Sequence, residues 1–250
     1  MRQHFNLWQK INMKNILCVV PSFTWKVHEK VQEALKNLIV PEWFEMDCVV
    51  IERKIIHVAR NEAIKMTLQW KYDYLLFCDD DNAPLNNDAL KLLLEADKDV
   101  ISWIIRKRNS SWLAIFDAKY DERGFREYVS FEKIPETEND VFEVANCWTG
   151  FVLYKREVLE KVYVKYDCCP FENKLCHYIP TVTNERVELE RFIWSPLIKL
   201  DDDGKIQIIK TMSSEDILFH ERIRLWWRQI FAHKKVILDH YWTNGEVYKV

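Results

Sequence analysis

Glycine is scarce, with 4 in 250 residues. No GxGxxG or GxxxxGKS/T loop occurs, which removes the main support for dinucleotide-binding and P-loop readings. No stretch approaches the ~20 apolar residues of a membrane-spanning helix. The start, Met1-Arg2-Gln3-His4, has no apolar signal segment, so a cytoplasmic protein without a membrane span is expected. One-sided charge is also lacking: a formal net charge of −3 gives no electrostatic case for nucleic-acid binding. The 7 cysteines include no paired C-x₂₋₄-C knuckles, so Cys168, Cys169, Cys176 and His177 do not make a structural zinc site. Their odd number, with several in apolar runs, suggests free buried thiols in a reducing compartment. There is no internal repeat and no low-complexity linker.

What the chain does have is apolar mass, with 48% hydrophobic and 14% aromatic residues and 11 tryptophans, enough for one large α/β core. Some of the tryptophans would line a surface that stacks on rings or sugars. The stretch that organises the rest is Tyr74-Leu75-Leu76-Phe77-Cys78, an apolar strand-like run that stops at Asp79-Asp80-Asp81-Asn82. Adjacent carboxylates repel, so folding alone gives no reason to cluster them. A divalent cation does, because Mg²⁺ and Mn²⁺ take carboxylate oxygens and fill other positions with substrate phosphates. In open α/β sheets ligands bind beyond the carboxyl ends of the strands, which is where this triplet would lie. A solvated acidic turn capping the next helix is the alternative.

From Lys14 the chain alternates. Ile16-Leu17-Cys18-Val19-Val20 reads as a buried strand, and Val27, Val31, Leu35 and Leu38 recur at helical spacing up to Pro41. Cys48-Val49-Val50-Ile51 is a second strand, a helix runs from His57 to about Trp70, and a third strand ends at the carboxylates. A helix over Asn87 to Ala96 and a strand over Asp99 to Ile104 follow, so parallel pairing with right-handed crossovers is expected. Beyond Arg106-Lys107-Arg108 the regularity breaks into short pieces at Leu113–Asp117 and Val141–Val144, and a helix starts at Arg156. Residues 163–200 carry no sustained period. Asp201-Asp202-Asp203-Gly204 reads as a hairpin turn; its ligand spacing does not fit an EF-hand. A helix begins at Ser213-Ser214-Glu215-Asp216, with Phe219, Ile223, Trp226 and Ile230 as one apolar stripe extending it toward His233. Val236-Ile237-Leu238 is a last strand leading to His240.

Taken in order, these blocks resemble GT-A-fold glycosyltransferases of the family 2 type. The resemblance rests on Ala59-Arg60-Asn61-Glu62, on Asp79-Asp80-Asp81 as a DxD motif, on Thr149-Gly150-Phe151, on Ser214-Glu215-Asp216 opening a helix, and on His240 after a late strand. It implies an α/β fold with a mostly parallel central sheet flanked by helices. Residues 1–13 would be an N-terminal extension and 14–250 a single domain, with 14–108 a Rossmann-like nucleotide-sugar half and 109–250 an acceptor half.

The implied reaction is transfer of a hexosyl-type sugar from a UDP- or GDP-sugar to a hydroxyl of a glycan or other acceptor, with Mn²⁺ or Mg²⁺ as cofactor. Asp79, Asp81 and His240 are the candidate metal ligands. Pro21, Ser22, Phe23, Arg60, Asn61, Asp79 and Asp80 would line the donor site, and Arg106, Lys107 and Arg108 would approach the diphosphate. Trp148, Thr149 and Gly150 would border the acceptor, and Gly150 would permit close backbone approach. Asp216 is the candidate general base, with Glu215 as the fallback. Ser213-x-x-Asp216 fits a capping box equally well on sequence. One base candidate and no evident nucleophile point to inversion. The competing functions are a nucleotidyltransferase acting on sugar phosphates and a non-catalytic sugar-binding protein on a degenerate transferase scaffold.

Overall fold

A computed structural model describes residues 13–23, 26–105, 112–120, 126–165, 170–171, 178–183, 186–191, 195–200, 206–211, 215–225, 228–241 and 247–248. The expected positions at Arg106, Lys107, Arg108, Cys168, Cys169, Cys176, the second aspartate triplet, Ser213 and Ser214 lie outside these residues, as does the extension before residue 13.

The first half alternates as its periodicity predicts. Strand β1 (Lys14–Ser22) leads to α1 (Glu29–Asn37), β2 (Phe44–Glu52), α2 (Ile56–Gln69) and β3 (Tyr74–Cys78). The short β4 (Asn82–Pro84), α3 (Ala89–Glu95) and β5 (Val100–Ile104) complete it. Strands β1, β3 and β5 carry apolar runs because both their faces are covered, whereas β2, at the end of the sheet, is mostly exposed or half-buried. In β1, Ile16, Cys18 and Val20 face a core that includes Val31 of α1 and Leu90 of α3. Leu17 and Val19 face the opposite core, with Ala59 and Ala63 of α2.

The second half supplies β6 (Ile115–Tyr120), β7 (Arg126–Ser130), β8 (Val141–Val144), β9 (Asn146–Cys147) and β10 (Phe151–Lys155). Then come α4 (Arg156–Lys165), two hairpins, α5 (Glu215–Arg224), β15 (Ile230–Tyr241) and β16 (Val247–Tyr248). The hairpins are β11 (Tyr178–Thr183) with β12 (Arg186–Arg191), and β13 (Ser195–Leu200) with β14 (Ile206–Thr211). Leu200 opposes Ile206 where β13 and β14 pair.

The main sheet runs β16-β15-β5-β10-β3-β1-β2, with β4 and β8 also pairing with β15. Strands β1, β2 and β3 are mutually parallel, and β15 is parallel to β5. Strand β10 departs from the simple alternation: it lies antiparallel between β3 and β5. The sheet is therefore mixed and flanked by helices, with β1, β2, β3, β5 and β15 of its main path running in one direction and β10 and β16 in the other.

Two other expectations are corrected. Helix α5 stops at Arg224 and does not run on to His233, because Ile230 belongs to β15 and pairs with Val144. Cys48 is exposed, unlike the buried Cys18, Cys78 and Cys147. No helix among the described residues is long and apolar enough to cross a membrane.

Candidate active site

The site forms where β1 and β3 end. Three consecutive aspartates follow β3, and the backbone of each is held by a different element. The Asp79 N–H donates to the Gly150 carbonyl just before β10 (2.8 Å). The Asp80 carbonyl accepts from the His28 N–H at the start of α1 (2.9 Å), and the Asp81 carbonyl accepts from the Tyr241 N–H of β15 (2.8 Å). The triplet is thus a junction of three elements and not a free surface turn. A Cβ on Gly150 would stand 2.9 Å from Asn82 Nδ2 and 3.5 Å from Asp79 Oδ2, so any side chain there must displace Asn82. The close approach expected of Gly150 is made by the chain's own aspartate segment.

Beneath the triplet lies Arg60, projecting from α2 and only 2% exposed. Its guanidinium sits against the Phe77 and Phe171 rings, 5.9 and 5.7 Å from their centroids. One terminal nitrogen reaches Asp79 Oδ1 at 3.2 Å. The other reaches Glu215 Oε1 at 3.1 Å and also pairs with Asp216 Oδ1. Burial works against the Arg60 charge, but Asp216, Asp79 and Glu215 together hold its pKa well above the usual arginine value. Arg60 therefore joins the strand-tip aspartates to the first turn of α5, where Glu215 and Asp216 also meet the positive end of the helix dipole. The expected donor-site residue acts from below the site, through carboxylates.

Asp79 keeps 27% of its side chain exposed, against 10% for Asp216 and 5% for Glu215. The Asp79 pKa is raised to about 7: burial pushes it up most, Arg60 pulls it down, and Asp81, Asp216 and Asp80 add to the rise. Arg60 meets Asp79, Glu215 and Asp216, and Asp80 and Asp81 follow Asp79 directly, so among the described residues carboxylates cluster at the tip of β3.

Of the candidate ligands, Asp81 and His240 are brought together, with His240 Nε2 3.3 Å from Asp81 Oδ2. The pairing of β4 with β15, which sets His240 opposite Asn82 and Asp239 opposite Ala83, fixes that contact. Asp79 turns one oxygen to Arg60, and among the described residues no three His, Cys, Asp or Glu side chains form a ready ligand group. A carboxylate oxygen and an imidazole nitrogen, with Asp79 and Asp80 adjacent in the chain, fit a divalent ion that draws its remaining ligands from phosphates.

The other expected residues divide. Pro21 and Ser22 are buried at the tip of β1, and Phe23 beside them is 56% exposed. Asn61 is engaged locally: its Oδ1 accepts from the Phe171 N–H at 2.9 Å, fixing the residue whose ring covers Arg60. Trp148 is half-buried, and Thr149 is fully buried.

A polar cluster not anticipated from sequence lies under α5. His220, one helical turn after Asp216, is 0% exposed. Its Nε2 is 2.7 Å from the Tyr154 hydroxyl, and its Nδ1 is 3.1 Å from Asn146 Oδ1 and 3.0 Å from the Cys147 carbonyl. Asn146 in turn donates to the Ile217 carbonyl (3.1 Å), so the cluster ties α5 to β9 and β10. Burial lowers the His220 pKa to about 4 and pushes that of the Tyr154 hydroxyl well up. The i, i+4 spacing of Asp216 and His220 was the available signal, but the partners of His220 come from distant strands.

No protein-family model matches this chain, and neither does any curated protein. Solved structures do. The A197 protein from STIV superposes with a TM-score of 0.53 at 17% identity, over 94% of this chain and 93% of that one. GalNAc-T7, solved with UDP, GalNAc and Mn²⁺, superposes with a TM-score of 0.51 at 9% identity, over 92% of this chain and 44% of that one. At such identities the fold is what is shared, and it is GT-A-like, a Rossmann-like α/β fold.

Proposed function

We propose that this chain is a divalent-cation-dependent glycosyltransferase, moving a sugar from a nucleotide-sugar donor to an acceptor hydroxyl. The observation that carries this reading is the Arg60 junction. A residue of α2 gathers carboxylates from the end of β3 and from the first turn of α5 at one point beyond the strand ends. A fold shared with a protein solved with UDP, GalNAc and Mn²⁺ supports the same reading.

In this scheme Asp81 and His240 would hold Mn²⁺ or Mg²⁺, with Asp79 alongside. The ion's chemistry is to neutralise the diphosphate as it departs. Ser22 and Phe23 border the nucleotide, with Phe23 offering an exposed ring for stacking, while Trp148 and the Thr149-Gly150 turn border the acceptor. The acceptor oxygen attacks the anomeric carbon, the bond from that carbon to the diphosphate oxygen breaks, and the hydroxyl proton passes to Asp216. Arg60 fixes the orientation of Asp216. A single displacement of this kind inverts the anomeric centre.

The test is a thermal-shift panel of UDP, GDP, CDP and dTDP, each with and without Mn²⁺. One nucleotide should stabilise the chain only with the ion present, by about 2.7 kcal/mol at ~100-fold excess over Kd. Asp216→Asn should keep that shift and lose sugar transfer to an acceptor. Silence across the panel overturns the reading, and transfer surviving in Asp216→Asn overturns the base assignment.

A further inference from the structure

Four cysteines lie among the described residues, all free, and the proposed transfer uses none of them. Two form a pair. Cys18 of β1 and Cys48 of β2 are register partners in the parallel ladder. Neighbouring strands lie ~4.8 Å apart, which falls within the ~4.4–6.8 Å that Cα atoms span in a disulfide. Partners on one rung present their side chains to the same face of the sheet. Their accessibility is unequal: Cys18 is 0% exposed in the core, while Cys48 is exposed on β2, an end strand of the sheet. The two thiols also interact. A hydrogen bond from Cys18 lowers the Cys48 pKa, against burial and Asp47, and the same bond together with burial raises that of Cys18. An accessible thiol favoured as thiolate beside an enclosed one held as thiol is the asymmetry of an attacking and a resolving cysteine.

We propose that Cys48 and Cys18 are a dithiol modification site, in which Cys48 reacts with a small-molecule disulfide and Cys18 then closes a cross-strand disulfide. The Cys48 thiolate attacks one sulfur of the oxidant, breaking its S–S bond and releasing one small thiolate, which leaves a mixed disulfide on Cys48. Cys18 gives up its proton to that departing thiolate, attacks the Cys48 sulfur and expels the second small thiolate, which takes a proton from water. The protein dithiol loses two electrons, and the small disulfide becomes two thiols. The link would join the two strands whose ends lie beside the site, where the Arg53 N–H of the β2–α2 connection donates to the Ser22 carbonyl (3.2 Å). This inference stands apart from the glycosyl-transfer reading.

The experiment uses the intact reduced chain, incubated natively with glutathione disulfide, blocked with N-ethylmaleimide in denaturant, and mapped by peptide mass. The expected product is a Cys18–Cys48 linked peptide, with both thiols lost in equal proportion. In native alkylation without oxidant, Cys48 should react ahead of Cys18, Cys78 and Cys147. Cys48→Ser should abolish the link, and Cys18→Ala should stop at a persistent glutathione adduct on Cys48. Wild-type mapping decides the matter even if Cys18→Ala does not fold. A glutathione adduct on wild-type Cys48 with Cys18 still a free thiol overturns the proposal, as does Cys48 reacting no faster than the enclosed thiols.

Discussion

At the scale of single residues the molecule turns on Arg60. Glu215 and Asp216 are both nearly enclosed and share one guanidinium nitrogen, so removing that charge leaves two buried carboxylates facing each other. Arg60→Met is expected to lose about 3–5 kcal/mol of stability in urea titrations, the range for breaking one side of a buried ion pair. Arg60→Lys should fall between, because an ammonium cannot serve three carboxylates from a planar fork. A wild-type midpoint for Arg60→Met would show that the junction holds nothing. Sequence alone identifies Arg60 as a candidate through its motif neighbours. Its burial and its role as a carboxylate anchor are not readable there, since its partners Asp79, Glu215 and Asp216 are brought to it only by tertiary folding.

At the scale of elements, α5 presents the proposed base, and its seating depends on a neutral histidine. His220 in the folded chain has a pKa of about 4, against an ordinary value of 6.5. Between those values the unfolded chain binds more protons, so folding stability is full above about pH 6.5 and is lost as pH falls toward 4. On that difference His220 alone accounts for about 3 kcal/mol of acid sensitivity. His220→Gln, which cannot take the charge, should flatten the unfolding free energy over that interval, measured by urea titration from pH 7 to 4. An unchanged slope would mean that His220 is protonated in place.

Apart from β4, the elements up to Ile104 are legible because β1, β3 and β5 are apolar runs buried within the sheet and the helices bury one stripe. The failures have local causes. Strand β4 has only three residues, lies just past the carboxylates and contains Pro84, so nothing in its pattern marks a strand. The apolar stripe after Glu215 keeps helical spacing through Ile230 and so suggests a longer α5, although Ile230 belongs to the next strand. Strand β15 begins well before its apolar centre because His233, Lys234 and Lys235 conceal the period.

At the scale of the whole molecule, the proposed metal site would cost stability until its cation binds, as sites kept for binding commonly do. Asp81→Asn should therefore melt no lower than wild type in metal-free buffer, since it removes one charge from a repelling set. In Mn²⁺ with a saturating nucleoside diphosphate, wild type should rise above it, with the difference read by calorimetry. A metal-free variant that melts well below wild type would assign Asp81 to structure. Sheet order is the part least available to sequence, because Phe151-Val152-Leu153-Tyr154 looks the same whether it lies at an edge or in the centre. It lies in the centre.

Because β10 comes from beyond residue 108 yet separates β3 from β5, the two lengths of chain are woven together. A fragment ending there would leave the inner flanks of both strands without their ladder partner. Under the proposed transfer reaction, recombination at that seam could not exchange acceptor preference as a cassette. New specificities would have to arise by point substitution and by lengthening the outer loops around a floor that both lengths hold in common.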